Sequence, residues 1–369
     1  MNPYQGLDEK HFWAPAVGRR DMLEIDLLWD PKFNIRRNYK IATFGSCFAQ
    51  HIGRALRARG YTWQQTEPTP SGLTEENAKK FNYDIFTCRT GNIYTVSLLN
   101  QWVNWAIGLS VPPDEVWEKD GRFYDPFRPT IEPGGFASAE ELSKSREMAI
   151  EAFRTAIKTS TLFVFTLGLT ESWSNKRGNY EYPMCPGTVG GVFDPENHTF
   201  HNQDFRLILD NLNETLNLMA TLNPKLGYIL TVSPVPLTAT MSGNHVLPAT
   251  VESKSILRAV AGEIARKRKM VDYFPSYEII SSPPFQGAFY GKNKRSVMPS
   301  GVAHVMESFF KCLNHKFETP GGSTATSGNK RAGADSPIDH DKTDDVICDE
   351  EFLATFAPSS APNKTTGDT

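Results

Sequence analysis

The 369-residue sequence contains no apolar run close to the roughly 18 to 20 residues that a membrane-spanning helix needs. Its first residues also lack a basic segment followed by an apolar stretch, so we expect no secretory signal. The five cysteines are scattered and form no CxxC pair, which argues against a disulfide framework and against a zinc site. The sequence therefore predicts a cytoplasmic protein that needs no metal and no other cofactor.

Charge points to no particular macromolecular partner. The formal net charge is -3, and the densest basic cluster, 266–269, ends a predicted helix, where cations favour the helix dipole. We expect no nucleic-acid partner.

Composition changes near residue 318, from where Gly, Ser, Thr and Pro dominate and an acidic stretch, 335–351, follows. Such a segment buries too little apolar surface to offset the entropy lost on ordering. We therefore divide the chain into a folded domain, 1–317, and a disordered tail, 318–369. The alternative for "EEFLATF" (350–356) is docking on a partner or on the domain itself.

Within the domain, short apolar runs alternate with helical patterns, which predicts parallel βαβ units in one sheet covered on both faces. "KIATF", "YTWQQ" (61–65), "TLFVFTL" and "GYILTVSPVPL" are the predicted strands, and "VDYFPSYEII" is expected to be extended. A hairpin is expected around Asp120-Gly121, and Ser138 with Glu141 forms a capping box at the start of a long helix.

In such a sheet, ligands bind beyond the carboxyl ends of the strands. Three segments of small or polar residues follow predicted strands, namely Gly45-Ser46, 168–171 and Ser233-Pro234. The sequence predicts that a site forms where these strand ends meet.

The segment "IATFGSCFAQHIGRAL" (41–56) changes from a strand to a helix at Ser46. Gly45 allows a sharp turn, and the amides near Cys47 and Phe48 at the helix start would stabilise an oxyanion bonded to the serine. The alternative is that Ser46 only caps the helix. Phe44 and Phe48 stand where a G-x-S-x-G elbow has glycines, and neither a P-loop nor a G-x-G-x-x-G motif after a strand is present.

Five segments in order resemble the GSCFA-domain family, a bacterial branch of the SGNH/GDSL hydrolase-like proteins. They are "FGSCFAQHIGRAL" (44–56), "TGNIYT" (90–95), "FTLGLTESW" (165–173), "LTVSPVPLTAT" (230–240) and "VESKSILRAV" (251–260). The resemblance implies an α/β fold of the flavodoxin-like type, a three-layer α/β/α sandwich with a mostly parallel sheet.

The same resemblance implies roles for individual residues. Ser46 would be the nucleophile, and the Gly91 amide or the neighbouring Asn92 side chain would hold the oxyanion, together with Cys47 at the helix start. The third family block reads Gly168-Leu169-Thr170-Glu171, so Thr170 replaces an asparagine and offers a single hydroxyl donor.

The expected Asp-x-x-His block is missing, because Arg295 and Met298 occupy the two positions. The general base must then come from elsewhere, and the candidates are His201, His51, Glu171 and, one helical turn beyond the expected block, His304. Cys47 and His51 lie on one face of a helix, so a thiol–imidazole pair is a further alternative.

These features predict a serine-dependent hydrolase acting on ester bonds, with O-acyl groups on carbohydrate among the candidate substrates. Two alternatives stay open. One is an O-acyltransferase that uses the same serine, and the other is a non-catalytic protein that binds a glycan or an acyl ligand. The expected partner is a small-molecule or carbohydrate ester, and the sequence leaves the oligomeric state open.

Overall fold

The computed structural model describes residues 2–317 and 348–358. The rest of the predicted tail lies outside these residues. Nine strands are described: β1 (Ile41–Gly45), β2 (Trp117–Lys119), β3 (Arg122–Tyr124), β4 (Leu162–Leu167), β5 (Glu171–Asn175), β6 (Tyr180–Tyr182), β7 (His198–Asn202), β8 (Gly227–Val232) and β9 (Val271–Tyr273).

Helices fill the intervals between the strands and follow the last of them. The described α-helices are α1 (Phe48–Ala58), α2 (Glu75–Lys80), α3 (Val96–Ile107), α4 (Ala139–Thr159), α5 (Phe205–Leu222), α6 (Val246–Lys267), α7 (Ser276–Ser281) and α8 (Pro299–Phe317). A 3-10 helix, Asp349–Phe356, is called the tail helix below.

The central sheet has the order β1-β4-β8-β9 and is parallel throughout. Successive side chains of a strand point to opposite faces. On β4, Phe163 and Phe165 pack with α3, α4, α5 and α6 on one face, whereas Leu162 and Val164 pack with α1, α7 and α8 on the other. The molecule is therefore a three-layer α/β/α sandwich, as the sequence predicts.

Two local predictions are confirmed. β2 and β3 form an antiparallel hairpin around Asp120-Gly121, both of which have positive φ. The Ser138 hydroxyl accepts a hydrogen bond from the Glu141 amide at the start of α4.

The predicted strand at 61–65 is wrong. Ile41 and Trp63 form only an isolated parallel bridge, in which the Ile41 amide bonds Thr62 and its carbonyl accepts from Gln64. The Trp63 indole then turns under the sheet, donates to the Thr43 hydroxyl at 2.9 Å and packs against Gly53. Packing of one large ring thus ends the pairing after a single residue.

A second sheet, antiparallel and in the order β6-β5-β7, lies between β4 and α5 along the chain. Much of the segment is rich in Gly, Pro and Asn, a composition typical of loops. Pairing of β5 with β7 gives it regular structure instead.

The tail helix differs from the solvated tail that the sequence predicts for this segment. Asp349 and Glu350 are buried, whereas Phe352 and Phe356 are exposed. The division of the whole chain into a domain and a disordered tail stays a prediction, because 318–347 and 359–369 lie outside the described residues.

Candidate functional site

The end of β1 requires a glycine. Gly45 has φ +127°, and a Cβ at this position would lie 2.3 Å from the carbonyl oxygen of Thr166 on β4. Any side chain would therefore force the two strands apart. The close approach lets the Ser46 amide donate to the same carbonyl at 3.0 Å, which fixes the start of the turn.

Two of the three predicted strand ends, Gly45-Ser46 and 168–171, meet at this point, together with the 90–95 segment. The Ile93 amide donates to the Gly45 carbonyl, and the Gly168 amide donates to the Tyr94 carbonyl, each at 2.9 Å. Gly168 also packs closely on Ser46, since a Cβ added to it would lie 3.2 Å from the Ser46 Cβ. The 90–95 segment and the ends of β1 and β4 thus surround Ser46.

The Ser46 hydroxyl is buried and has no hydrogen-bond partner among the described residues. The helix-cap alternative is wrong, because α1 is preceded by Cys47 and no side chain caps it. The hydrogen bonds of the first turn begin with the Ala49 amide, which donates to the Ser46 carbonyl. The amides of Cys47 and Phe48 therefore precede the helical ladder, beside the serine.

Lys254 is a buried amine that sequence reasoning missed. It lies on α6, is 1% exposed, and donates from Nζ to the Gly168 carbonyl at 2.6 Å. Burial lowers the pKa of this amine to about 8. Its place in the "VESKSILRAV" segment was a usable signal, but a lysine in a helical pattern is ordinarily a surface residue.

Asp349, in the tail helix, packs against the 90–95 segment and hydrogen-bonds Asn92. One carboxylate oxygen, Oδ2, accepts from the Asn92 side-chain amide at 2.6 Å and from the Tyr94 hydroxyl at 3.4 Å. The other oxygen, Oδ1, accepts from the Thr130 hydroxyl, and the Asp349 amide donates to the Tyr94 hydroxyl at 3.1 Å. Burial raises the pKa of Asp349, and these donors oppose the rise.

The next tail residue pairs with Arg295, the residue at the position where the family pattern expects an aspartate. The Arg295 guanidinium lies 3.3 Å from a carboxylate oxygen of Glu350, and its Nε donates to the Pro236 carbonyl at 3.0 Å. Burial raises the pKa of Glu350, with Arg295 opposing. Met298, at the position expected for histidine, lies immediately before α8.

Cys47 faces the tail rather than an imidazole. Its thiol donates a hydrogen bond to the sulfur of Cys348, and this bond together with burial raises the pKa of Cys47 well above its ordinary value. A protonated thiol is a poor nucleophile. The geometry therefore gives no support to the thiol–imidazole alternative.

The structure does not bring His201 to Ser46. His201 lies on β7, exposed, and its Nε2 hydrogen-bonds the Ser174 hydroxyl at 2.8 Å on the neighbouring strand. Glu171 begins β5, and its carboxylate accepts from the Thr240 hydroxyl and the Met241 amide. Burial raises the pKa of Glu171, but its hydrogen bonds connect it to the 240–241 loop.

The two remaining histidines contact aromatic rings. His51 lies one turn into α1, is buried and meets the Phe48 ring edge-on at 5.5 Å. His304 lies on α8, half-buried, and stacks on Phe289 at 4.9 Å, and burial lowers its pKa.

Three of the predicted oxyanion donors already bond acceptors in this structure. The Thr170 hydroxyl donates its one hydrogen to Asn202 at 2.6 Å, and the Gly168 amide donates to Tyr94 as described above. Gly91, in contrast, has φ +69° and open space where a Cβ would stand. Of the predicted set, the Cys47 amide and Gly91 fit the role best, whereas the Asn92 side-chain amide donates to Asp349 and would serve once the tail has left.

No group of three or more His, Cys, Asp or Glu side chains in 2–317 and 348–358 is arranged to hold a metal ion. Across those same residues, we find no helix that combines the length and the apolar character needed to cross a membrane.

The protein is thus a three-layer α/β/α sandwich with a parallel central sheet and a serine directly after its first strand. Residues 40–309 match the model of the GSCFA family, and the chain belongs to this family. A search of curated proteins found no match.

Proposed function

We propose that this protein is a serine-dependent hydrolase of ester bonds, with Ser46 as the nucleophile. The observation that carries the proposal is the Ser46 hydroxyl, which is buried and has no hydrogen-bond partner among the described residues, directly ahead of the first amides of α1. Buried polar groups are nearly always paired, so an unpaired one needs an explanation such as catalysis. The resemblance to SGNH/GDSL hydrolases supports the same role.

In this proposal the base is Lys254 rather than a histidine. Its amine bonds the carbonyl of Gly168, the residue that packs on Ser46. Serine–lysine pairs are a known variant of serine catalysis, and a buried lysine loses its proton more readily than an exposed one. With a pKa of about 8, a sizeable fraction of Lys254 is neutral near pH 7 to 8 and able to accept a proton.

The reaction then has two steps. The Ser46 oxygen attacks the ester carbonyl carbon while Lys254 accepts the serine proton, and the amides of Cys47 and Gly91 with the Asn92 side chain bind the oxyanion. Collapse of this intermediate breaks the bond to the alcohol, which leaves with the proton from Lys254. Water, activated by the same amine, next hydrolyses the acyl-serine.

An O-acyltransferase would differ only in the second step, where another hydroxyl replaces water. The substrate class that we propose is an ester of a small molecule or of a carbohydrate, met in the cytoplasm. One observation favours the non-catalytic alternative: no imidazole bonds Ser46 in the described part of the chain, while Asn92 binds a carboxylate.

The test is ester hydrolysis on a panel of short-chain esters and acetylated sugars, with the full-length protein and with Ser46→Ala and Cys47→Ala. We expect turnover that Ser46→Ala abolishes and that Cys47→Ala retains. Activity that survives Ser46→Ala but is lost in Cys47→Ala would overturn the assignment. Binding of an ester without turnover would favour the non-catalytic alternative.

A further inference from the structure

The tail helix is attached to the domain through carboxylates rather than through apolar side chains. Asp349 and Glu350 are 3% and 8% exposed, whereas Phe352 and Phe356 are 44% and 66% exposed. A segment that docks by the hydrophobic effect would bury its phenylalanines first. Acidic groups, and not the phenylalanines, are therefore the tail-helix side chains that the domain buries.

The Asp349 carboxylate meets a cradle of donors made by Asn92, Tyr94 and Thr130. Two donors converge on one oxygen and one on the other, and the Tyr94 hydroxyl also accepts from the Asp349 amide. Burying a carboxylate is costly unless hydrogen bonds or a countercharge replace its water. Both compensations are present here, since Arg295 and Lys254 offer positive charge to the neighbouring Glu350.

The cradle and its occupant belong to different parts of the chain. Asn92, Tyr94, Thr130 and Arg295 all lie within 40–309, the stretch that matches the family model, whereas Asp349 lies beyond it. The cradle is thus part of the domain, and the tail is an addition that fills it.

We propose that the site beside Ser46 contains a subsite for a carboxylate group, that its ligand is an acidic molecule, and that the chain's own tail occupies this subsite as a competitor. Asn92, Tyr94 and Thr130 bind the carboxylate, and Arg295 binds a second acidic group next to it. The proposal extends the proposed function by naming a ligand class for the same site. Binding is measured without turnover, so the two proposals fail separately.

The first experiment measures ligand binding in the full-length chain. Asp349→Asn with Glu350→Gln weakens the internal competitor, and the probe is a fluorescein-labelled peptide of residues 346–358 with Cys348→Ser. A tethered tail has an effective concentration in the millimolar range, so we expect the probe to bind this variant at least tenfold more tightly than the wild type. Glu351→Gln is the matched control. It makes the same chemical change at the next tail residue, which is exposed and whose carboxylate lies 3.8 Å from Arg295, beyond hydrogen-bond distance.

Two further comparisons test the cradle itself. Tyr94→Phe in the double variant removes the hydroxyl alone, and we expect roughly tenfold weaker binding of the peptide. Succinate competition shows whether a small dicarboxylate is sufficient or whether the peptide backbone is also needed. Equal binding by a peptide carrying Asp349→Asn, or equal binding to wild type and double variant, would overturn the proposal. Repeating the titration with Ser46→Ala separates binding from catalysis, since Ser46 does not contact Asp349 in the hydrogen-bond network.

The second experiment tests tail docking through the Cys47–Cys348 contact. Diamide removes two electrons and two protons from the thiol pair, forming a disulfide and the corresponding hydrazine. We expect the Cys47–Cys348 disulfide within one chain, at a rate that falls at least fivefold in the Asp349→Asn, Glu350→Gln double variant and is unchanged in Glu351→Gln. Failure of Cys47 and Cys348 to cross-link, or equal rates in all three proteins, would contradict the docked tail.

Discussion

Two regions of this molecule carry residues suited to catalysis, and they differ in what those residues bond. At the end of β1, three distant parts of the chain surround Ser46, whose hydroxyl has no hydrogen-bond partner in 2–317 and 348–358. In the antiparallel β5–β7 sheet, His201 and Glu171 bond neighbours of their own, Ser174 and the 240–241 loop. Side chains of the right chemical type are therefore not sufficient for a site, because a general base must also lie close to the serine, as Lys254 does through Gly168.

The contrast extends to charge. Around Ser46, groups of both signs adjoin: Lys254, Asp349 and Glu350 are buried, and Arg295 is half-buried. His201 lies on the antiparallel sheet, where it is exposed and paired with a residue of the neighbouring strand β5. Perturbed titrating groups in a buried cluster are a mark of functional sites, but the antiparallel sheet also holds one, Glu181, whose pKa burial raises to about 7. What distinguishes the first region is that its buried groups carry both signs of charge.

The largest expected effect comes from removing the candidate general base of each region in turn. Lys254→Met should lower turnover by roughly 10²- to 10⁴-fold, because a general base contributes about that much. His201→Ala should change it by less than about twofold. Steady-state ester hydrolysis measures both, with circular dichroism to check folding. A loss of turnover in His201→Ala but not in Lys254→Met would show that the general base lies on the antiparallel sheet and contradict the assignment of Lys254.

Next in size is the oxyanion contact. Asn92→Ala removes a side-chain donor at the proposed oxyanion site and should reduce kcat by about 10²- to 10³-fold. Thr170→Val removes a hydroxyl whose hydrogen already bonds Asn202, so we expect an effect below about fivefold. The ratio of the two losses in kcat is the measurement. If Thr170→Val proves the more damaging, the Asn202 bond must break during the reaction.

The smallest effect is the shape of the pH profile. Lys254 acts as a base only when neutral, and its pKa of about 8 predicts that activity rises with pH and levels off above about 8 to 9. An ordinary histidine base would give a midpoint near about 6.5 instead. Initial rates from pH 5.5 to 9.5 distinguish the two, and a midpoint at the histidine value would exclude Lys254.

Local chemistry made much of the fold predictable. The burial of β4 on both faces, the turn at Gly45 and the Ser138 cap follow from side-chain size, backbone freedom and hydrogen-bonding groups within a few residues. The strand at 61–65 failed because one tryptophan ring packs under the sheet.

The site was less predictable, because its decisive contacts join distant parts of the chain. Lys254 has the sequence context of a surface helix and is buried only because α6 packs over Gly168. Asp349 follows a long polar segment, and nothing near it in sequence specifies Asn92 as its partner. The composition of the 175–200 segment, rich in Gly, Pro and Asn, likewise concealed the β5–β7 pairing that holds His201.

The most direct test of the central claim is the position of a covalent adduct. A fluorophosphonate probe reacts with an activated serine, so the full-length wild type and the Asp349→Asn, Glu350→Gln double variant are treated and digested, and the modified residue is identified by mass spectrometry. The account predicts an adduct on Ser46, formed faster in the double variant and absent from Lys254→Met. No adduct in either protein, or an adduct on a residue other than Ser46, would contradict it.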